Sequence, residues 1–255
     1  GFLGLIRARW RIEDRPHSLL DTLPTEKGIA LHEAARALAS EIQEGQSPNL
    51  EPWLARAKPW ERERWRAVLQ LFVEKERDYQ ARYSARVKDS EIPLEFQMGD
   101  ITLYGRADRI DETPQGELLV IDYKTGASNP HGQDVVEQGY ALQLGFYAVA
   151  ARRHFSKEVA AAQFIELNAT GGRARGIFPK SRVGSKPPGI APIRSNSKSL
   201  IPGEPSEVWE RIESHLGDTV TVLKEGHFRA VPKNEADCER CSAAISCNAP
   251  RRKSA

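Results

Sequence analysis

The sequence has a single methionine, Met98, in 255 residues. It therefore starts without an initiator, and is expected to be a piece of a longer polypeptide or a chain with its start removed. It has three cysteines, all between residues 238 and 247, which is too few and too close together for the disulfide framework of a secreted protein. No apolar run approaches the roughly 20 residues of a membrane span, and no signal-peptide pattern opens the chain. These absences lead to the expectation of a soluble cytoplasmic protein with no membrane partner. The net charge is only +2, so any nucleic-acid surface has to come from local segregation of charge. Such segregation is present: acidic residues are missing from Leu167 to Gly203, where Arg173, Arg175, Lys180, Arg182, Lys186, Arg194 and Lys198 all fall.

What the chain does have is enough apolar material, 40% of residues beside 28% charged, for one α/β core with helical additions. Its most informative stretch is Gly105-Arg-Ala-Asp108-Arg-Ile-Asp111, followed by Leu118-Leu-Val-Ile-Asp122-Tyr-Lys124-Thr-Gly126. Between them, Thr113-Pro-Gln-Gly-Glu117 suits a three-residue hairpin loop, with Pro at the first central position of a type I turn and Gly in the left-handed position. That turn pairs Thr113 with Glu117, and counting outward puts Asp108 opposite Asp122 with Cβ atoms about 5 Å apart. Lys124, two residues on, points to the same side. Two facing carboxylates repel, and a hard cation such as Mg2+ or Mn2+ between them removes the repulsion. The alternative is a cross-strand network in which Arg106 and Lys124 neutralise the two acids. The continuous apolar run Leu118–Ile121 weighs against it, since charges that end a buried strand need a reason.

Along the rest of the chain, Thr25 suits the N-cap of a helix with an apolar stripe of Leu31, Ala35, Leu38 and Ile42, stopped by Gly45. His32 lies on its small-residue face with Gly28, Ala35 and Ala39. A second helix spans about 60–85, with Trp65, Leu69, Phe72, Glu76 and Tyr79 on its packing face. A strand over 92–98 carries Glu95, either a third metal-side carboxylate or an edge charge. A helix from about 135 to 155 places Gln143 and Tyr147 on one face. A strand at 159–167 precedes a Gly-, Pro- and Ser-rich basic segment at 168–202, expected as a mobile arm or simply disordered. A final amphipathic helix over 205–225 carries Trp209, Ile212, Leu216, Val220 and Leu223. Four parts of one compact domain are expected: 1–90 with the His32 helix, 91–167 with the core sheet, 168–203 as the basic arm, and 204–255 with the last helix and the cysteines.

The G-x-x-D-R-I-D and D-Y-K-T-G strands resemble those of the RecB/AddB-type nuclease domain of the PD-(D/E)XK superfamily. The likeness extends to Gly28-Ile-Ala-Leu-His32, Glu95 and Gln143-Leu-Gly-Phe-Tyr147, and ends in Gly226-His-Phe-Arg-Ala-Val-Pro232 with the cysteines. It implies a restriction-endonuclease-like mixed sheet flanked by helices, with added helices and a C-terminal cysteine segment. It also implies a Mg2+-dependent deoxyribonuclease, expected as an exonuclease module of a helicase-nuclease or repair protein.

In such a site Asp108, Asp122 and His32 hold the metal, and the resemblance adds the Tyr123 backbone carbonyl. Lys124 orients or deprotonates water, or neutralises charge on the reacting phosphate. Gln143 and Tyr147 contact DNA or steady the site, and Arg173, Arg175, Lys180 and Arg182 bind the DNA backbone.

Cys238, Cys241 and Cys247 suit metal or cluster ligation. By resemblance they form three quarters of the ligand set of a 4Fe-4S cluster, whose fourth cysteine would fall upstream of Gly1. A catalytically inactive DNA-binding or scaffold domain of the same fold is the competing reading, and a zinc-type module explains only the last twenty residues or so.

Overall fold

The structure, a computed structural model, describes residues 24–125, 132–139, 142–169, 175–181 and 197–226. In chain order these form α1 (Pro24–Gln43), α2 (Glu51–Leu54), a 3-10 turn (Pro59–Glu61) and α3 (Arg62–Tyr83), then β1 (Arg86–Met98), β2 (Ile101–Glu112) and β3 (Leu118–Lys124). There follow α4 (Gly132–Gln138), α5 (Gln143–Phe155), β4 (Val159–Glu166), β5 (Arg175–Pro179), β6 (Leu200–Ile201) and α6 (Pro205–Glu225). The first of two compact units, Thr22–Gly217, contains the sheet and both cores; of the second, only the α6 turns from Asp218 and Gly226 are described. Among the described residues no helix is long and apolar enough to cross a membrane.

The six strands lie in the order β1-β2-β3-β4-β5-β6. β1, β2 and β3 are joined as an antiparallel meander, β4 runs parallel to β3 and β5 antiparallel to β4. This is the mixed α/β sheet expected from the motif strands. β3 is flanked by neighbours on both edges and is buried from Leu118 to Tyr123, which explains its unbroken apolar run. The β2–β3 turn is built as its residues dictate: Thr113 N–H donates to Glu117 O at 2.8 Å, Gly116 N–H donates to Thr113 O at 2.8 Å, and Gly116 takes φ 81°. From there Glu112 pairs with Leu118 and Arg109 with Ile121, one step short of Asp108 and Asp122.

Two cores lie on the two sheet faces. The first joins α1 and α3 to Leu119, Ile121 and Tyr123 of β3, and includes Leu31, Leu38, Trp65, Leu69 and Phe72. The second joins α5 and α6 to Leu118 and Val120, and includes Leu144, Val149, Trp209 and Ile212. Trp209 also donates its indole N–H to Val159 O at 2.7 Å, so its burial leaves no unmet donor.

β2 changes sides along its length. Asp111 and Arg109 face α3, Ile110 faces the second core, and Ala107 with its partner Ile92 also joins the second core. The switch falls at Asp108, where Glu91 on the neighbouring strand adopts φ 53°, uncommon for a residue with a Cβ.

Several expected boundaries move. α1 begins by Pro24, so Thr25 lies inside the helix rather than at its cap. Its C-terminus is the expected Gly45, at φ 74°, with Gln46 N–H bonded to Glu41 O and Gly45 N–H to Ile42 O, a Schellman closure. β1 begins at Arg86, six residues before the expected 92. The single helix expected over 135–155 is two helices separated at Gly139, which takes φ 65°. The basic arm contains β5 and β6, whose Ile177, Phe178, Leu200 and Ile201 are buried. A strand inside a Gly- and Ser-rich segment is set by its pairing to β4, which local composition does not reveal. α6 has the expected bounds, although Leu223 is exposed.

Candidate active site

The β2–β3 register leads directly to the site. Asp108 and Asp122 come immediately beyond the paired residues Arg109 and Ile121 on adjacent strands, and α1 and α5 approach them from the two sheet faces. Asp108 is half-buried and its Oδ2 accepts the Tyr123 main-chain N–H at 2.7 Å. His32, from α1, brings Nδ1 to 3.5 Å from the same oxygen. On the other side, Lys124 Nζ stands 2.6 Å from Asp122 Oδ2 and donates to Gln143 Oε1 at 3.1 Å. Gln143 Nε2 in turn donates to the Tyr147 hydroxyl at 3.0 Å. Because α5 starts at Gln143 rather than at 135, both residues sit in its first turns and hold the Lys124 ammonium over Asp122.

The electrostatics are those of an incompletely neutralised acid pair. Burial pushes Asp122 up to about 6; the Asp108 charge adds to this, while Lys124 opposes it. Burial also lowers His32, favouring the neutral imidazole; Asp108 pulls the other way and Lys124 adds to the lowering. Burial raises Tyr147 despite its Gln143 bond. Asp122 Oδ2 is buried and has no partner in hydrogen-bonding geometry, although the Lys124 ammonium is close. A buried, poorly satisfied carboxylate beside a second carboxylate and a neutral imidazole is, in kind, the donor set of a hard divalent cation. Among the described residues, no three His, Cys, Asp or Glu side chains are gathered into a complete ligand group. Backbone and water oxygens would have to complete such a shell.

The third carboxylate of this neighbourhood is Glu91. The β1–β2 register runs through Ser90↔Arg109 and Ile92↔Ala107, which sets Glu91 across from Asp108, and its charge is felt at His32. Glu95 is exposed and pairs with Tyr104, itself 83% exposed, four residues further along β1. The sequence held the signal. Gly99-Asp100 is a two-residue hairpin loop, and counting back from it gives Glu91, not Glu95, as the partner of Asp108.

Among the described residues, Arg175 and Lys180 do not form one patch. Arg175 opens β5 opposite Phe164, at the sheet end that carries Lys124, and lies 3.7 Å from Glu166. Lys180 follows the far end of the same strand, five residues or roughly 16 Å away, and is exposed. Arg173, Arg182 and all three cysteines lie outside the described residues.

Residues 8–248 match the family model of the PD-(D/E)XK nuclease superfamily. The chain belongs to this superfamily. Its membership covers the strands of the acid pair, the His32 helix and the Gln143 helix together. No curated protein matches the chain. Among solved structures, SSO0001 is 16% identical with 97% of each chain covered and a TM-score of 0.32. A "Putative exonuclease" from Eubacterium rectale is 14% identical, covering 100% of this chain and 83% of that one, with a TM-score of 0.37. Likeness of this size does not fix a fold, and the family membership does not depend on it.

Proposed function

We propose that this PD-(D/E)XK superfamily member is a divalent-metal-dependent deoxyribonuclease that works as an exonuclease. The observation that supports it most is the convergence of Asp108, Asp122, Lys124 and His32 at one end of adjacent strands, with the acids left short of counter-charge. Asp108, Asp122 and the His32 imidazole, with the Tyr123 carbonyl, would hold Mg2+ or Mn2+. When bound, the ion supplies charge neutralisation at the phosphodiester and an acidified water. Lys124, its ammonium 2.6 Å from Asp122 Oδ2, orients the attacking water or meets charge developing on the phosphate. Gln143 and Tyr147 hold that ammonium in place. Glu91 adds a negative charge across from Asp108, for which we propose a share in the metal site in place of Glu95.

The role as a module of a helicase-nuclease or repair protein, with a helicase partner, rests on motif order alone. So does a 4Fe-4S cluster on Cys238, Cys241 and Cys247. Iron and sulfide analysis of anaerobically purified protein, extended upstream of Gly1 should its gene encode further residues there, checks the cluster, which is ruled out by failure to bind either element.

Incubation of the purified chain with end-labelled linear DNA and with closed circular DNA tests the function. Cleavage of the linear substrate in Mg2+ and its loss in EDTA are expected, with the circle spared. Asp122→Ala and Lys124→Ala each remove cleavage by about a thousandfold or more, some 4 kcal/mol of barrier, while DNA affinity stays near that of wild type. Full activity in either variant, or cleavage undiminished by EDTA, defeats the reading.

A further inference from the structure

Asp108 and Arg109 are consecutive on β2, yet their side chains reach the same residue of β3 at its two ends. Asp108 Oδ2 accepts the Tyr123 main-chain N–H at 2.7 Å, and Arg109 Nη1 donates to the Tyr123 hydroxyl at 3.2 Å. The guanidinium is itself immobilised. Its Nε and Nη2 donate to the two Asp111 carboxylate oxygens at 2.6 Å each, and Nη2 also reaches Glu76 Oε1 at 2.7 Å. Glu76 and Tyr79 belong to α3, and the Tyr79 hydroxyl donates to Asp111 Oδ2 at 2.9 Å. Arg109, Asp111 and Glu76 are each 0% exposed. The planar fork fixes direction as well as charge, which a lysine at the same place does not.

Tyr123 has a third attachment. Its ring meets the His32 ring edge-on with centroids 5.8 Å apart, and Phe72 at 6.0 Å. The tyrosine therefore touches two of the residues assigned to the metal, one through its amide and one through its ring, while its far end is tied to α3 through Arg109.

We propose that Arg109 is a positioning residue of the nuclease site, fixing Tyr123 by its hydroxyl so that the Tyr123 amide sets Asp108 and the Tyr123 ring sets His32. This inference rests on the nuclease reading above. Arg109 touches neither substrate nor metal; it acts by holding the spacing between strand and helix at which the ligands converge. Displacing reacting groups by about 1 Å costs on the order of a hundredfold in rate, so a looser tether has a kinetic signature distinct from lost stability.

Tyr123→Phe removes only the hydroxyl and keeps both ring contacts; Arg109→Lys keeps the charge and loses the fork. Val68→Ala, a buried truncation on α3 eight residues before Glu76, serves as a control that destabilises the same core. The measurements are kcat and KM for linear DNA in Mg2+, calorimetric Mn2+ affinity without DNA, and melting temperature. Tyr123→Phe and Arg109→Lys are expected to lower kcat about tenfold and weaken Mn2+ binding severalfold, with KM within twofold of wild type. Val68→Ala is expected to lower the melting temperature and leave kcat and Mn2+ affinity unchanged. Wild-type kcat and Mn2+ affinity in Tyr123→Phe, or equal kinetic losses in Val68→Ala, overturn the positioning role while leaving the nuclease reading intact. Absence of cleavage by the wild-type chain itself defeats that reading, and the positioning role with it.

Discussion

Two charged clusters lie a residue apart on β2, and they solve opposite problems. Around Arg109, the bidentate Asp111 pair, Glu76 and two tyrosines are sealed beneath α3, with the guanidinium bonded on every side. Around Asp108, the groups are half-open, and Asp122 is held near 6 because burial and a neighbouring acid outweigh Lys124. The buried network uses its charges to join helix to sheet. The acid pair is only partly offset by Lys124, and a perturbed carboxylate of this kind is a candidate for function. The change of sides in β2 at Asp108 separates the two roles: Ala107 before it joins the second core, and Arg109 after it faces α3.

The comparison breaks most sharply at Asp111. Asp111→Ala leaves the buried guanidinium with Glu76 as its one carboxylate partner and strips the Tyr79 hydroxyl of its acceptor, and is expected to cost about 3 kcal/mol of stability. Urea melts measure it, and a loss under about 1 kcal/mol would mean that the network does not bear on stability.

Asp122→Asn should do the reverse. Folding raises Asp122 from an ordinary value of 3.8 to about 6, so the folded chain keeps a proton that the unfolded chain gives up. The stability contributed by that proton is complete below about pH 4 and is lost as pH rises through 6. Relative to Asp122→Asn, the metal-free wild type should lose roughly 2.5 kcal/mol between pH 4 and pH 7. Melts of both proteins in EDTA across that range check the sign, and parallel pH profiles would show that Asp122 is not the source.

The smallest effect belongs to the basic segment. Neutralising Arg173, Arg175, Lys180 and Arg182 together should flatten the salt dependence of DNA affinity, by about one log–log unit or less for each phosphate no longer neutralised. Arg175 should contribute least, being close to Glu166. Salt titration of binding in EDTA tests this, and an unchanged slope assigns the segment to the fold rather than to DNA.

Much of the acid-pair site was legible because its geometry is local. Pro114, Gly116 and the lengths of two short loops set the register, and the register places Asp108 against Asp122. The same counting, applied to Gly99-Asp100, gives Glu91 as the residue across from Asp108. The Arg109 network was not legible, since which face α3 covers is a tertiary matter. Its one trace in the sequence is Glu76, set among Trp65, Leu69, Phe72 and Tyr79 on a stripe otherwise made for packing. The break at Gly139 was marked only by a lone glycine, and β5 exists because β4 supplies its partner.

The change of sides in β2 has a consequence for how such a protein can vary. Upstream of Asp108 the strand packs on one core and exposes every second residue, whereas downstream Arg109, Ile110 and Asp111 are all buried, so replacing any of those three means rebuilding a packed layer. Asp108 sits on the seam, claimed by neither. A position of this kind can exchange one reactive group for another at the cost of a single hydrogen bond, the one from the Tyr123 main-chain N–H, so a lineage can retune or silence such a site and keep the scaffold whole.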